Sequence, residues 1–501
     1  VIKDVLKQYF VYGMGNIAQT ALSVILLPLY LRLFEPSQYG VISLLMVVSS
    51  VLAVFASVGI TTALFRLYYE AEPRERKKLV GNTLIWYLMG STLVGAILLI
   101  AASPLSQLLF HSGDYAYSIR LLGGLFFFSM MLTVPFSILQ LEKRSRLYVG
   151  FSLLRFLIDF GLKFYFIGFL GRGIAGYFES GIVSSLVVLC SMSFFVLRYV
   201  SLSLDPSHLK QLLRLGAPFI LSGLAVWVMA SSDRLILNSF SGSAAVGVYS
   251  LAYTFAGLFT VLLSNPISLL IDPFFFSQAA SMADEDKKKL LNSILIYLFL
   301  AGGILYLFIA LGIGDVLKIF TFLFKTKEGY LEATKLVPLL TLAPMLYLIS
   351  TPATLAALQV KKPEFISIAS CITAAVSIGL NFALIPIMGI WGAAITSAVA
   401  YMLFAILCYW WAHRIFPVSY SWRSLVKGLL FLGVAFFLGW IIQIPAHPWL
   451  SLFTRVAVGV MTFGLLVWFA GNILTADEKG RAVNYIRNMG AVRKVFSSLR
   501  R

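Results

Sequence analysis

Three ionisable residues, Arg155, Asp159 and Lys163, sit inside an otherwise apolar segment at a spacing of i, i+4, i+8. On a helix this spacing puts all three on one stripe, rising about 12 Å. Charged groups at bilayer depth are costly and face a cavity or a partner. Two cations and one carboxylate leave a positive charge over, so the stripe reads as a cavity lining for an anion; a self-neutralising ladder is the structural alternative. Guanidinium offers several oriented donors to a phosphate, and ammonium adds a point charge. A second pair, Asp233-Arg234, follows Ser231-Ser232 in a later apolar segment. Adjacent residues point about 100° apart on a helix, so one can face a cavity while the other pairs across to a neighbour, in either order. Arg32 and Arg66 sit at opposite mouths of the first helical hairpin, where they either anchor the interface or guide an anionic headgroup. The candidate substrate-binding set is therefore Arg155, Lys163, Arg234, Arg66 and Arg32. Asp159, Asp233, Glu179 and Asp272 are the acids that could take up a proton or a sodium ion and release a basic partner. Glu179 and Asp272 lie nearer segment ends, where capping or snorkelling accounts for them.

No other chemistry competes with this set. His111, His208, His413 and His447 are scattered over separate loops, and Cys190, Cys371 and Cys408 fall inside apolar segments. Neither group forms a catalytic, disulfide or metal constellation, so an enzyme and a resident cofactor are both disfavoured.

The elements that must carry these residues follow from composition. The 501 residues are 60% hydrophobic and only 12% charged, with a mean hydropathy of +0.91. Soluble domains carry about 25% charged residues. Apolar runs of helix length recur from end to end, without the alternation of barrel strands. The expectation is an all-α polytopic membrane protein with fourteen spans: 9–33, 39–65, 81–103, 119–141, 148–170, 174–197, 214–240, 245–276, 291–313, 333–359, 365–386, 390–412, 424–444 and 451–474. The net charge of +18 points to membrane orientation, with no nucleic-acid partner. Lys and Arg cluster in alternate connections: before the first span and after the second, fourth, sixth, eighth, tenth and twelfth. The opposite connections hold few, among them Lys318, Lys325, Lys327 and Arg455. The positive-inside rule then places both termini in the cytoplasm. The first apolar run lacks a convincing cleavage site and reads as retained.

The chain also repeats itself. Leu33-Phe34-Glu35-Pro36-Ser37-Gln38-Tyr39-Gly40-Val41 finds its counterpart in Ser239-Phe240-Ser241-Gly242-Ser243-Ala244-Ala245-Val246-Gly247-Val248. Three further pairs follow in the same order: Tyr115 with Arg120-Leu121-Leu122 and Tyr330 with Lys335-Leu336-Val337; Leu139-Gln140 and Leu358-Gln359; Gly173-Ile174-Ala175-Gly176 and Gly389-Ile390-Trp391-Gly392. This order implies a duplicated six-span unit, with copies in the same orientation related by an axis along the membrane normal. The expected divisions are a first lobe at 1–205, a second at 206–420, an extra helix pair at 421–475 and a basic amphipathic cytoplasmic tail at 476–501. The span paired with the charged stripe carries uncharged residues near Cys371, Ala375 and Gly379. The scaffold therefore does not need those charges for packing.

Gly15-Asn16, Leu27-Pro28-Leu29-Tyr30, the turn from Phe34 to Gly40, Asp233-Arg234-Leu235-Ile236-Leu237 running into Val246-Gly247-Val248-Tyr249, and Gly389-Ile390-Trp391-Gly392-Ala393 stand in that order along the chain. In these the chain resembles the polysaccharide (O-antigen type) flippases of the multidrug/oligosaccharidyl-lipid/polysaccharide exporter superfamily. The resemblance covers essentially the whole chain. It implies a bacterial inner-membrane flippase with two lobes in a V. Such a protein moves an oligosaccharide on an undecaprenyl-pyrophosphate carrier from the cytoplasmic to the periplasmic leaflet by alternating access, as part of O-antigen lipopolysaccharide synthesis. It further implies a cationic cavity, for which Arg155, Lys163 and Arg234 are the matching candidates, and glycosyltransferases and a glycan polymerase as partners. A cation-coupled drug or metabolite exporter is the second reading. A membrane glycan polymerase or ligase is the third, and lacks a sizeable loop to hold an acceptor.

Overall fold

The computed structural model describes residues 25–201, 205–279, 282–442, 444 and 447–469. The expected amphipathic tail and most of the first span lie outside these residues. Among the described residues, eleven helices are long and apolar enough to cross a membrane. The molecule is apolar outside and partly polar inside. Ile100, Phe194, Phe322 and Ile387 are 72–84% exposed, while Asn82, Ser185, Thr341 and Thr396 are buried. That inversion suits a hydrocarbon surround rather than water.

Two stretches relate these eleven to the sequence pattern. Pro218–Ser268 is a continuous helical stretch of 51 residues, which would be about 77 Å long if straight. It is broken at Gly242, whose backbone lies at φ 75°, ψ 173°, a region open chiefly to glycine. The expected loop there is almost entirely helical, with a single glycine absorbing the turn. The Ser145–Lys163 helix, continued by a π-helical turn at Phe164–Phe169, is not among the eleven. Its charged stripe dilutes its apolar character.

The turn ending at Gly40 is chemically specified. Pro36 opens the Pro36–Ser57 helix, and Gln38 accepts from the backbone N–H of Glu35 at 3.0 Å, closing a capping box. Pro36–Ser57 then packs along Pro218–Phe259, and the two repeated segments meet each other. A Cβ on Gly40 would stand 1.8 Å from the carbonyl oxygen of Ser243, and one on Gly247 would stand 1.9 Å from that of Pro36. One turn further along, Ser43 and Ser250 share a hydroxyl–hydroxyl hydrogen bond of 2.6 Å. Small residues let helix backbones approach closely where lipid supplies no hydrophobic drive. Lys327 adds a strap across this end: its backbone N–H donates to Leu31 at 2.9 Å and its ammonium pairs with Glu35 at 2.6 Å. In a chain with Cys190, Cys371 and Cys408 replaced by alanine, Ser43→Cys with Ser250→Cys should cross-link under mild oxidation. Protection from a maleimide mass tag would report it.

The opposite end of Pro36–Ser57 is also pinned. Val58 and Gly59 are both left-handed, at φ 47° and 64°, so the helix breaks before resuming at Ile60–Glu70. A Cβ on Gly59 would lie 2.4 Å from the carbonyl oxygen of Gly216. Between the two ends, the indole N–H of Trp227 donates to Ser50 at 2.8 Å.

The ninth expected span is longer than its hydropathy suggested. The helix runs Asp284–Phe324, so the expected loop at 314–332 is helical over its first half. Asp284, Glu285 and Asp286 complement the dipole at its start, and Lys325 caps its end in a left-handed conformation. From Phe299 to Asp315 it is held by the helices Trp422–Ile441 and Pro448–Phe469. Gly428 approaches Phe299, and Gly439 and Gly459 both approach Leu311. Arg455 and Lys318, grouped with loop residues on the sequence, belong to this contact. Arg455 is buried and pairs with the buried Asp315 at 3.1 Å. It also donates to Gly439 O at 3.2 Å, and Ser451 donates to Asp315 at 3.0 Å. Removing one partner of a buried pair costs about 3–5 kcal/mol, because the other charge is left stranded. Asp315→Ala or Arg455→Ala should therefore lower the melting temperature of the purified protein sharply. The apolar double replacement Asp315→Leu/Arg455→Met should recover most of that loss.

Candidate functional site

The charged stripe lines a cavity of about 540 Å³. Four helices build it: Pro36–Ser57, Ala116–Leu141, Ser145–Lys163 and Gly173–Val196. Ser49, Ser129, Ser152 and Ser184 supply hydroxyls to its wall, and Tyr177 and Phe126 supply rings. The expected i, i+4, i+8 geometry is present, since Arg155, Asp159 and Lys163 all face this space.

Within the stripe the three charges divide unequally. The Lys163 ammonium pairs with Asp159 at 2.7 Å and lies 4.2 Å from the centroid of the Tyr177 ring. The Ser180 hydroxyl donates to the other oxygen of Asp159 at 3.2 Å. This half of the ladder is closed upon itself. Arg155 stands apart from it. Its guanidinium donates to Ser129 and Ser185, each at 3.0 Å, from two different helices. Among the described residues it forms no ion pair. The surplus charge of the stripe therefore belongs to Arg155, a cation held in place by neutral hydroxyls. Directly after Lys163 the helix adopts the π-helical turn Phe164–Phe169, and none of these residues lines the cavity.

Asp233 and Arg234 are elsewhere. Both are buried in the Pro218–Phe259 helix, and neither lines this cavity. Asp233 accepts from the Tyr249 hydroxyl, from Ser397 at 3.4 Å and from the backbone N–H of Arg234 at 2.8 Å. The Arg234 guanidinium lies 4.1 Å from the Tyr253 ring centroid and 5.9 Å from that of Tyr249, and it donates to Ala230 O at 3.1 Å. The sequence reading that grouped Arg234 with Arg155 and Lys163 is not what the packing brings together. Adjacent positions on one helix do point apart, as expected, but both point into protein.

The remaining candidates are peripheral. Arg32 and Arg66 are exposed and do not line this cavity. Glu179 pairs with Arg172 at 2.6 Å near a helix start. Asp272 is carried by the Asn265–Ala279 helix, and its side chain lies outside the described residues. Sequence reasoning missed Ser129, Ser185 and Tyr177. Serine in an apolar span is a weak signal, and nothing local says which serine faces which helix. No group of three or more His, Cys, Asp or Glu able to hold a metal ion occurs among the described residues.

A second cavity of about 530 Å³ lies among Pro218–Phe259, Ala333–Ile349, Glu364–Met388 and Ile390–Ile415. Tyr253, Tyr347, Tyr401 and Phe404 form much of its wall.

Several solved structures share this architecture. Lipid II flippase MurJ in an inward closed conformation superposes with a TM-score of 0.73 at 15% identity, covering 93% of this chain and 100% of that one. An inward-facing multidrug resistance MATE family transporter of the MOP superfamily gives 0.68 at 17% identity, covering 81% and 94%. A MOP superfamily transporter from Pyrococcus furiosus gives 0.60 at 18% identity, covering 84% and 97%. At these identities the likeness is one of fold: an all-helical, multi-pass membrane protein built like the MOP transporters. No curated protein matches the sequence. A family model described as polysaccharide biosynthesis protein does match, over residues 30–311. That match takes in the charged stripe, the buried Asp233-Arg234 pair and more than half of the chain, which therefore belongs to the polysaccharide biosynthesis protein family.

Proposed function

We propose that this protein is a flippase that carries a lipid-linked oligosaccharide, on an undecaprenyl-pyrophosphate carrier, from the cytoplasmic to the periplasmic leaflet by alternating access. The observation that carries the proposal is Arg155. It is a cation at bilayer depth, in a cavity, whose only hydrogen-bond partners among the described residues are two serine hydroxyls. Such a charge is costly unless an anion visits it, and a diphosphate matches the guanidinium fork. Lys163 is the second cation, kept neutralised by Asp159 until the substrate arrives. Uptake of a proton or sodium ion by Asp159 would free Lys163 for the diphosphate and so couple an ion to transport.

The architecture that goes with this reading has fourteen passes. Splitting Pro218–Ser268 at Gly242, and adding the charged span and the first span, brings eleven to fourteen. The reading keeps lobes at 1–205 and 206–420, a pair at 421–475, a tail at 476–501 and both termini in the cytoplasm. The contact of Gly40 with Gly247 then closes the periplasmic side. Membrane lipids are immediate partners, with glycosyltransferases and a polymerase acting before and after.

A proteoliposome assay tests the function. The purified protein is reconstituted with an undecaprenyl diphosphate bearing a fluorescent disaccharide, and an impermeant quencher reports the outer leaflet. Transport predicts that probe from the inner leaflet becomes quenchable only when the protein is present. Equal quenching with and without protein, together with uptake of a cationic dye, would replace this reading by that of a drug exporter.

A further inference from the structure

The two cavities are nearly equal in volume, at about 540 and 530 Å³, yet their chemistries are opposed. The helices of the second are those that the sequence repeat pairs with the helices of the first. Where the first presents Arg155, Asp159, Lys163 and serines, the second presents Tyr253, Tyr347, Tyr401 and Phe404, with Thr260 and Ser370 beside them. No Lys, Arg or His lines the second cavity among the described residues, so it does not suit a diphosphate.

We propose that this second cavity is a saccharide subsite, taking sugar rings of the cargo while the first takes its phosphates. The proposal rests on the flippase reading above. Its geometry is that of a corner. Tyr347 stacks on Phe404 at 5.8 Å with an interplanar angle of 23°, and stands edge-on to Tyr401 at 6.1 Å and 88°. Ring faces set at right angles offer one wall to the C–H face of a pyranose and another to its edge. The phenolic hydroxyls and the side chains of Thr260 and Ser370 supply hydrogen-bonding groups for its hydroxyls. The volume lies within the range of about 300–1,000 Å³ typical of small-molecule sites. A prenyl chain has no hydrogen-bonding capacity to match the hydroxyls, and the outer helix faces already give it an apolar surround.

The buried pair now has a place in this arrangement. Arg234 lies against the Tyr253 ring at 4.1 Å. Asp233 holds Tyr249 and Ser397, the latter one helical turn from Tyr401. Arg234 is thus a positioning residue for the Tyr253 face of the wall and need not touch the cargo.

Two probes separate the possibilities: a C15 prenyl diphosphate, and the same compound bearing one sugar from a panel of hexose, N-acetylhexosamine and 6-deoxyhexose. Binding to the purified full chain in nanodiscs is measured by calorimetry. At least one sugar should tighten binding roughly fivefold or more. Tyr347→Ala and the conservative Tyr401→Phe should shrink that gain and leave the bare prenyl diphosphate unchanged. If no sugar in the panel adds affinity, or both variants keep the full gain, the saccharide subsite is overturned. If the variants weaken the bare compound equally, the cavity holds the prenyl chain and the proposal is again overturned. Binding of the bare compound that Arg155→Ala leaves untouched would instead overturn the flippase reading beneath it.

Discussion

Arg155→Ala should abolish measurable translocation while leaving the protein folded in the membrane. The two halves of that expectation have separate causes. Arg155 is held by Ser129 and Ser185, so its removal strands no carboxylate and exposes only two hydroxyls that can turn to other acceptors. The fold has little reason to fail. The cargo loses a charge-assisted fork at low dielectric. Truncating one partner of such a contact costs about 2–5 kcal/mol, or roughly 30- to 5,000-fold in affinity. Arg155→Lys keeps the charge and loses the fork, and should fall between the two. Lys163→Ala behaves differently, because it leaves Asp159 with Ser180 alone and perturbs stability as well as transport. Quencher accessibility in proteoliposomes, read beside a melting curve, distinguishes these cases. Full translocation by Arg155→Ala and by Lys163→Ala would remove the cavity from the mechanism.

The second large effect is expected at the glycine contact. Gly247→Val and Gly40→Val should each stop translocation, and Gly247→Ala should reduce it strongly. The obstacle to any Cβ is a backbone carbonyl at 1.8–1.9 Å, far inside the about 3.5–4.0 Å at which non-bonded atoms rest. A side chain could rotate away, but a helix backbone cannot. The two helices must separate, and the Ser43–Ser250 bond at 2.6 Å goes with them. Each variant thus disfavours the conformation closed at this end and favours one open there. Labelling of Ser43→Cys by a soluble maleimide reads the shift directly: slow in the parent chain and fast in the glycine variants. Equal labelling would mean that this contact does not gate the cavity. Oxidation of the Ser43→Cys/Ser250→Cys pair should arrest transport, and a reductant should restore it.

Much of this was legible from local spacing. Apolar runs of helix length located the helices, and the i, i+4, i+8 stripe located the cavity, because both are properties of one helix. The match between Gly40 and Gly247 was legible as repetition, though only packing shows that the two glycines touch. What local pattern could not reveal is which helix faces which. Arg155 and Arg234 look alike on the sequence, yet one meets serines in a cavity and the other meets tyrosines in a core. Asp315 and Arg455 are 140 residues apart, so their pairing has no local signature. The ends of the long helices were misjudged for a related reason. Gly242 absorbs a turn within one residue, and the helix after Asp284 runs past its apolar stretch to Phe324, carrying Asp315 and Lys318, whose charges are met by each other and by Arg455.

The pairing of Asp315 with Arg455 also bears on how the chain is made. A buried charge left without its partner costs about 3–5 kcal/mol. The segment bearing Asp315 leaves the ribosome well before the one bearing Arg455. Until synthesis is nearly finished, the ninth helix carries an acid whose nearest cation is Lys318 at 3.6 Å, on its own surface. The last helix then arrives with an arginine that is easiest to insert beside that acid. Membrane entry of the final hairpin and completion of the earlier bundle are thereby tied into one event. A ribosome that stops short of residue 455 leaves a marked, incomplete product for quality-control proteases to find.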